Sequence, residues 1–193
     1  MALSIVEICN SALHKIGANR ITSLTDTSKS AIIINDQYDR LRKEVLRSHP
    51  WNFAIAYISL AATVNTPIWT DYTFEFLLPS DVLRVLNTNL TSDDDWEVGY
   101  NNDGNKVIFC NSDTLIVRYI KDVENTTRFD ACFDEALSFR IAADIAYALV
   151  QSQTVQTNMF NMYKAQLAIA MSFDAQEKSQ DVVSADSFIE VRG

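Results

Sequence analysis

Apolar residues recur at helical spacing through the first fifty residues and predict two helices. The first covers about residues 4–16, opens on a Ser-x-x-Glu capping box and ends before Gly17, which suits a left-handed C-cap. After a polar loop at 19–26, the second begins at residue 27 or 28 and extends to about 49. Pro50 ends it, because proline disfavours helical geometry in the preceding residue and has no N–H to donate.

The period changes after Pro50, where β-branched and aromatic residues in short runs predict strands. The predicted strands cover residues 53–60, 74–77, 96–100, 106–110 and 114–120, with a further extended segment at 84–90. Residues 79–83 predict a single helical turn, and the Asn, Asp and Gly residues at 101–105 predict a hairpin turn. We interpret residues 51–122 as an antiparallel β-meander of four to five strands.

Helical spacing returns in the last third of the chain. Asp130 can cap a helix that extends to about Gln151, and Thr154 or Thr157 opens another that ends near Lys178. Alanines are dense in both segments, and such small side chains let helices approach closely, either within one subunit or between subunits.

The predicted fold is α+β: an antiparallel bundle of four helices, with the β-meander inserted between its halves. Residues 1–178 form a single domain, in which 1–50 and 129–178 supply the bundle and 51–122 the insertion. Residues 179–193 form an extended C-terminal arm that is polar until its apolar end. Such an arm is either a frayed terminus or a segment that docks on a neighbouring protein by adding a strand.

Composition and charge narrow the classes of function. The 193 residues are 48% hydrophobic and 21% charged, which fits a folded domain. The net charge of −9 argues against a surface that grips nucleic-acid phosphates, although a like-charged wall could let DNA pass without sticking. The chain has four glycines, which are too few and too scattered for a phosphate-binding loop.

Cysteine usage and the N-terminal residues predict a cytoplasmic protein that does not enter a membrane. Cys9, Cys110 and Cys132 are widely spaced, which indicates small buried side chains in a reducing compartment. The N-terminus lacks the basic and apolar regions of a secretory signal. No run of residues approaches the ~18 apolar positions that a membrane span needs.

The residues with catalytic potential form no recognisable site in the sequence. His14 and His49 lack further ligands at metal-binding spacing, and the three aspartates at 93–95 lack the spaced oxygen ligands of a calcium loop. No Gly-x-Ser-x-Gly motif marks a nucleophile. The sequence therefore predicts a protein that is not an enzyme, without catalytic residues, metal or cofactor.

Candidate contacts with partners lie on two helices and on the arm. Basic residues gather in the C-terminal half of the second helix, either as a solvated face that offsets the helix dipole or as a docking patch for an acidic neighbour. Arg140 and Asp144 are four positions apart on a mostly apolar helix and form either an internal ion pair or a contact between subunits. The full set of candidate partner contacts is Arg40, Lys43, Arg47, Trp51, Arg140, Asp144, Phe188, Ile189 and Arg192.

Several short segments occur in a characteristic order along nearly the whole chain. They are an Asn-x-Ala-Leu-x-x-Ile-Gly opening at 10–17, Ile-x-Ser-Leu at 21–24, Pro-Trp-x-Phe-Ala at 50–54, Leu-Pro-x-Asp-x-Leu-Arg-Val at 78–85, Phe-x-x-Ala-Leu at 133–137 and Asp-Ser-Phe-x-x-x-Arg at 186–192. In their order and spacing these segments resemble the tail tubular protein A family of short-tailed bacteriophages.

The resemblance implies a structural adaptor, or gatekeeper, that forms a ring of twelve subunits in the virion tail after assembly in the host cytoplasm. The ring would lie between the portal protein and the tail nozzle, tail tubular protein B, and would extend the channel through which genomic DNA passes without specific binding. Two other hypotheses remain open from the residues alone. One is a tail-associated hydrolase of polysaccharide or cell wall, which needs two carboxylates across a cleft, and the other is a small non-viral binding module.

Overall fold

The structure is a computed structural model that describes residues 3–64, 67, 71–91 and 94–177. These residues form four α-helices and six β-strands, so the predicted α+β class is confirmed. The helices are α1 (Ile5–Lys15), α2 (Lys29–Ser48), α3 (Ala131–Val150) and α4 (Gln153–Gln176). The strands are β1 (Ile55–Ala61), β2 (Phe74–Leu77), β3 (Val82–Thr88), β4 (Trp96–Tyr100), β5 (Lys106–Cys110) and β6 (Thr114–Lys121).

Each helix begins at a polar residue that satisfies a free N–H group of the first turn. In α1 the predicted capping box is present: the Glu7 N–H donates to the Ser4 hydroxyl at 3.3 Å, and the Ser4 N–H donates to the Glu7 carboxylate at 2.7 Å. The caps of the other helices are Ser28, Asp130 and Ser152. Gly17 follows α1 at a φ of 71°, as the predicted left-handed C-cap requires.

Helix α3 is the centre of the helical layer. It packs against α1, α2 and α4, and most of its circumference is buried. Small side chains at Ala136, Ala142 and Ala146 allow this close approach within one chain. The described residues thus confirm four helices, whereas an antiparallel four-helix bundle is not confirmed, because the other three helices share α3 as their main packing partner.

The six strands form two antiparallel sheets, so the prediction of a single meander is wrong. Sheet A has the strand order β1-β6-β3, and sheet B has the order β2-β5-β4. The hairpin between β4 and β5 turns at the predicted 101–105 segment, but β6 pairs with β1 and β3, which come much earlier in the chain. Strand propensity marks a strand without specifying a distant partner, which is why the pattern missed this order.

At the predicted helical turn of residues 79–83 the structure has a shorter turn, which ends at Val82. The Val82 N–H donates to the Pro79 carbonyl oxygen at 3.2 Å and closes one tight turn, after which Val82 begins β3. Proline favours such a turn, but pairing with β6 then holds the following residues extended. The first strand begins at Ile55, two residues later than predicted, because residues 52–54 form a short 3₁₀ helix.

Two hydrophobic cores hold the layers together. One lies between the inner faces of the two sheets and includes Phe76, Ile108 and Leu115. The other lies among the helices and receives Ile120 from the opposite face of β6. Because alternate residues of a strand point to opposite sides, β6 contributes to both cores.

A buried arginine joins the helical layer to sheet A. Arg42 of α2 is 2% exposed, and its guanidinium donates to the Asp122 carboxylate and, at 2.6 Å, to the Val123 carbonyl oxygen, directly after β6. Its second terminal nitrogen donates to the Asp39 carboxylate at 2.6 Å. A buried charge is tolerated only when it is paired and hydrogen-bonded, so these contacts fix α2 over the end of β6.

Asn10 holds the loop between α1 and α2. Its side-chain amide donates to the Ile21 carbonyl oxygen and accepts the Ile21 N–H, both at 2.9 Å. Asp26 accepts the N–H groups of Thr22 and Ser23 at 2.9 and 3.1 Å. Side chains therefore satisfy backbone groups that neither a helix nor a sheet would satisfy here.

Candidate partner-binding surfaces

Three of the candidate contact residues belong to an ion-pair network between α2 and α3. Arg140 donates to both carboxylate oxygens of Glu44, at 2.9 and 3.0 Å, and pairs with Asp144 at 3.3 Å. Arg40 reaches the same Asp144 carboxylate at 3.2 Å. Of the two interpretations of Arg140 and Asp144, the structure shows the internal ion pair. The stronger, forked contact of Arg140 is the one with Glu44.

The other basic residues of α2 also contact groups of their own chain. Lys43 pairs with Asp39 at 2.6 Å and with Asp122 at 3.5 Å. Arg47 donates to the Leu83 carbonyl oxygen at 3.1 Å. Both side chains keep part of their surface in solvent, so a docking role stays a prediction. Any acidic neighbour would have to compete with these internal acceptors.

The prediction that Trp51 contacts a partner is wrong, because this residue is 1% exposed. Its indole N–H donates to the Val45 carbonyl oxygen at 3.0 Å, and its ring packs edge-on against Phe133 with ring centroids 5.2 Å apart. A large aromatic ring whose N–H is satisfied internally is a core residue. The candidate contacts Phe188, Ile189 and Arg192 lie outside the described residues.

One carboxylate attaches the end of α4 to the junction between α2 and β1. Asp174 accepts the Asn52 N–H at 2.8 Å and lies 3.0 Å from the His49 Nε2, and its own carbonyl oxygen accepts the Asn52 side-chain amide at 2.8 Å. Sequence spacing shows no partner for His49, because Asp174 is 125 positions away. This histidine therefore belongs to a structural contact.

We expect the variant Asp174→Ala to lower the free energy of unfolding by about 1–3 kcal/mol, because the partly buried Asn52 backbone N–H loses its acceptor. Urea denaturation measures this loss, and hydrogen exchange should show faster opening at Asn52. Glu177→Ala is the matched control: its exposed carboxylate lies 3.5 Å from the side-chain amide nitrogen of Asn52, so its removal should change stability little. Equal losses in the two variants would contradict the role given to Asp174.

Among the concave regions of the described part of the chain, one lies beside the Asp174 contacts and a larger one lies between two turns. A cavity of about 250 Å³ lies at the junction and is lined by Phe53, Phe129 and Phe173 together with polar groups. Two of those polar groups are used by the fold, since Arg128 donates to the Phe53 carbonyl oxygen at 3.2 Å and Asp130 caps α3. A groove of about 500 Å³ lies between the 101–105 turn and the Pro79 turn, and it has an apolar wall and one lysine.

Among the carboxyl groups of the described residues, the one with the largest pKa shift belongs to Asp134 and lies in the core. Burial, together with the smaller effect of the nearby negative charge of Asp130, raises the pKa of Asp134 to about 7. Such a pKa is typical of a catalytic acid. However, Asp134 is 4% exposed and lines neither the cavity nor the groove. We interpret Asp134 as a buried structural group.

Three further findings concern the cysteine thiols, metal binding and membrane crossing. Cys9 and Cys110 are buried, Cys132 is partly buried, and burial raises the pKa of the Cys9 thiol to about 12. Among the described residues, no group of His, Cys, Asp and Glu is arranged to hold a metal ion. None of the helices in the described ranges is long and apolar enough to cross a membrane.

Two surfaces expose large apolar side chains. The α4 face is exposed to solvent and consists of Met162, Ala165, Ile169 and Phe173. The sheet A face is the outer side of β1 and β6 and consists of Tyr57, Ser59, Ala61, Thr114, Ile116 and Arg118. The density of alanines predicted close helix approach within or between subunits without marking the first surface, and the second depends on the strand order, which the sequence pattern did not show.

No known protein-family model matches the chain, and no curated protein is significantly similar to it in sequence. The surfaces and contacts described above therefore carry the functional argument.

Proposed function

We propose that this chain is a structural adaptor subunit of a short-tailed bacteriophage, assembled as a ring between the portal protein and the tail nozzle. By the family resemblance the ring has twelve subunits and extends the channel for genomic DNA. Its partners are copies of itself, the portal protein and tail tubular protein B. Its place is the virion tail, after assembly in the host cytoplasm.

The observation that carries the proposal is the exposed apolar surface of α4. Ile169 and Phe173 are 48% and 54% exposed, although α4 is a long, regular helix. Met and Phe are enriched at protein interfaces, and exposed apolar patches mark binding surfaces. A subunit of a closed ring needs two different patches of this kind, which fits the presence of the sheet A face as a second one.

The net charge of the chain supports the proposal that the ring surrounds a channel for DNA. With a net charge of −9, the subunit repels the phosphate backbone and would not retain DNA that moves past it. The basic residues that could offset this charge on α2 contact carboxylates and carbonyl groups of their own chain. A wall of this charge favours passage over binding.

Native mass spectrometry of the purified portal ring, with and without the chain, tests the proposal. We expect a single complex whose mass exceeds that of the portal ring by twelve copies of the chain. Negative-stain images of the same sample should show added density on one end of the portal ring. A portal ring that gains no mass at any chain concentration would contradict the proposal.

A further inference from the structure

The α4 face stands out by its lack of charge. Between Asp144 and Asp174 the chain contains no Asp or Glu, and Lys164 is the single charged residue of that stretch. Elsewhere carboxylates are frequent, since the chain has 25 of them in 193 residues. Solvated helices usually carry charged residues on their outer side. A helix flank without carboxylates that exposes Met162, Ile169 and Phe173 is typical of a surface that another protein covers.

The sheet A face is a mixed apolar and polar surface that the helical layer leaves partly uncovered. Ile55 and Ile120 are paired at the end that faces the helices, and Ile120 is fully buried in the helical core. Further along the same face, Tyr57 is 69% exposed and Ile116 is 46% exposed. Within the described ranges the helical layer therefore covers the sheet at Ile120 but not at Ile116. The edge of the helical layer forms a step above the uncovered part of the sheet.

The sheet A face also lacks carboxylates. Its six positions carry one cation, Arg118, which lies 6.0 Å from the centre of the Tyr57 ring. The α4 face and the sheet A face are thus two uncharged or weakly cationic surfaces on a strongly acidic chain. Two copies of a chain with net charge −9 repel each other over most of their surface. They can approach with the least repulsion where neither surface carries an acid.

We propose that the α4 face of one copy packs on the sheet A face of a second copy. This proposal rests on the proposed ring and names its subunit interface. The contact joins two different patches, and repetition of such a contact closes a ring when the rotation between copies fits. The 24 residues of α4 give a helix of ~36 Å, long enough to cross the step.

The size of the two faces predicts a weak contact between free copies. One flank of a helix of this length offers a few hundred Å², which is less than the roughly 800 Å² per partner of a standard stable interface. We therefore expect dissociation constants on the order of 10–100 μM in the free chain. Ring closure on a template would strengthen the contact, because each later contact is then intramolecular.

Sedimentation velocity at chain concentrations on the order of 10–500 μM tests the proposal. We expect wild-type chain to self-associate, and Ile169→Lys and Ile116→Lys each to weaken association at least about tenfold. The matched control is Ile32→Lys, because Ile32 of α2 is 52% exposed and belongs to neither face. This control should associate like wild type. Unchanged thermal unfolding of all three variants shows that they fold.

A mixture of the two interface variants gives the decisive measurement. Ile116→Lys retains an intact α4 face and Ile169→Lys an intact sheet A face, so the mixture should form dimers that cannot grow further. Association of Ile116→Lys at wild-type strength would show that α4 contacts something other than sheet A. A wild-type chain that stays monomeric throughout would also overturn this inference. If the portal ring still gains the mass of twelve copies in that case, the proposed adaptor function stands and only the interface is wrong.

Discussion

Replacement of Arg42 by methionine is expected to lower the free energy of unfolding by about 3–5 kcal/mol, the usual cost of breaking a buried ion pair. Asp122, whose side chain is 13% exposed, would lose its closest cation, and the Val123 carbonyl oxygen would lose its donor. Methionine fills much of the same volume, so the loss reports the charge and the hydrogen bonds. Urea unfolding followed by circular dichroism measures it.

Lys43→Met is the matched control for this prediction. Lys43 contacts the same two carboxylates, Asp39 and Asp122, but its side chain is 42% exposed. Water already solvates this ammonium, so its removal should cost no more than about 1 kcal/mol. A loss of similar size in both variants would mean that burial does not determine how much the Arg42 contacts stabilise the fold.

The second large effect is expected from Asp134→Asn, as a change in how stability depends on pH. Asp134 is buried, its Oδ1 is among the described side-chain atoms that lack a hydrogen-bond partner, and its pKa rises from 3.8 to about 7 on folding. A raised carboxyl pKa means that the folded state binds the proton more tightly than the unfolded state. Stability is therefore lost as the pH rises from about 4 to about 7, and the whole cost is present above pH 7.

This cost amounts to about 4 kcal/mol, because each pKa unit corresponds to about 1.4 kcal/mol. The asparagine amide does not titrate, so the advantage of Asp134→Asn over wild type should grow by about 4 kcal/mol between pH 4 and pH 8. Paired urea titrations at the two pH values measure this growth. Glu135→Gln is the control, since the neighbouring Glu135 is partly exposed and pairs with Lys15 at 3.1 Å. An equal pH effect in both variants would show that burial of Asp134 is not the cause.

The helices could be predicted from the sequence because their causes are local. Ser4 and Glu7 are three positions apart and satisfy each other's N–H groups without any help from the rest of the chain. Pro50 ends α2 through its own ring geometry. In the same way, the 101–105 segment forms its turn from residues that tolerate positive φ, with Gly104 at 76°.

The strand order could not be predicted, because it depends on partners that are distant in sequence. β6 looks like any half-buried strand in the sequence, yet it lies at the centre of sheet A and supplies two cores. The turn at Pro79 is shorter than predicted for a related reason, since pairing with β6 begins at Val82. Long-range packing decides between conformations that local propensity leaves close in energy.

The same distinction applies to the candidate contacts. Arg140 and Asp144 could be recognised as a pair from their helical spacing, but Glu44 and Arg40, which complete the network, lie on another helix. The burial of Trp51 depends on Phe133, far along the chain. The density of alanines did not mark the α4 face, and the sheet A face required the register of β1 against β6.

The central position of α3 has a consequence for synthesis on the ribosome. Helices α1 and α2 leave the ribosome first, but the helix against which they pack begins only at Ala131. At translation rates of roughly 5–20 residues per second, their apolar stripes wait several seconds for that helix. We therefore expect nascent chains that stop before α3 to be captured by chaperones or to aggregate.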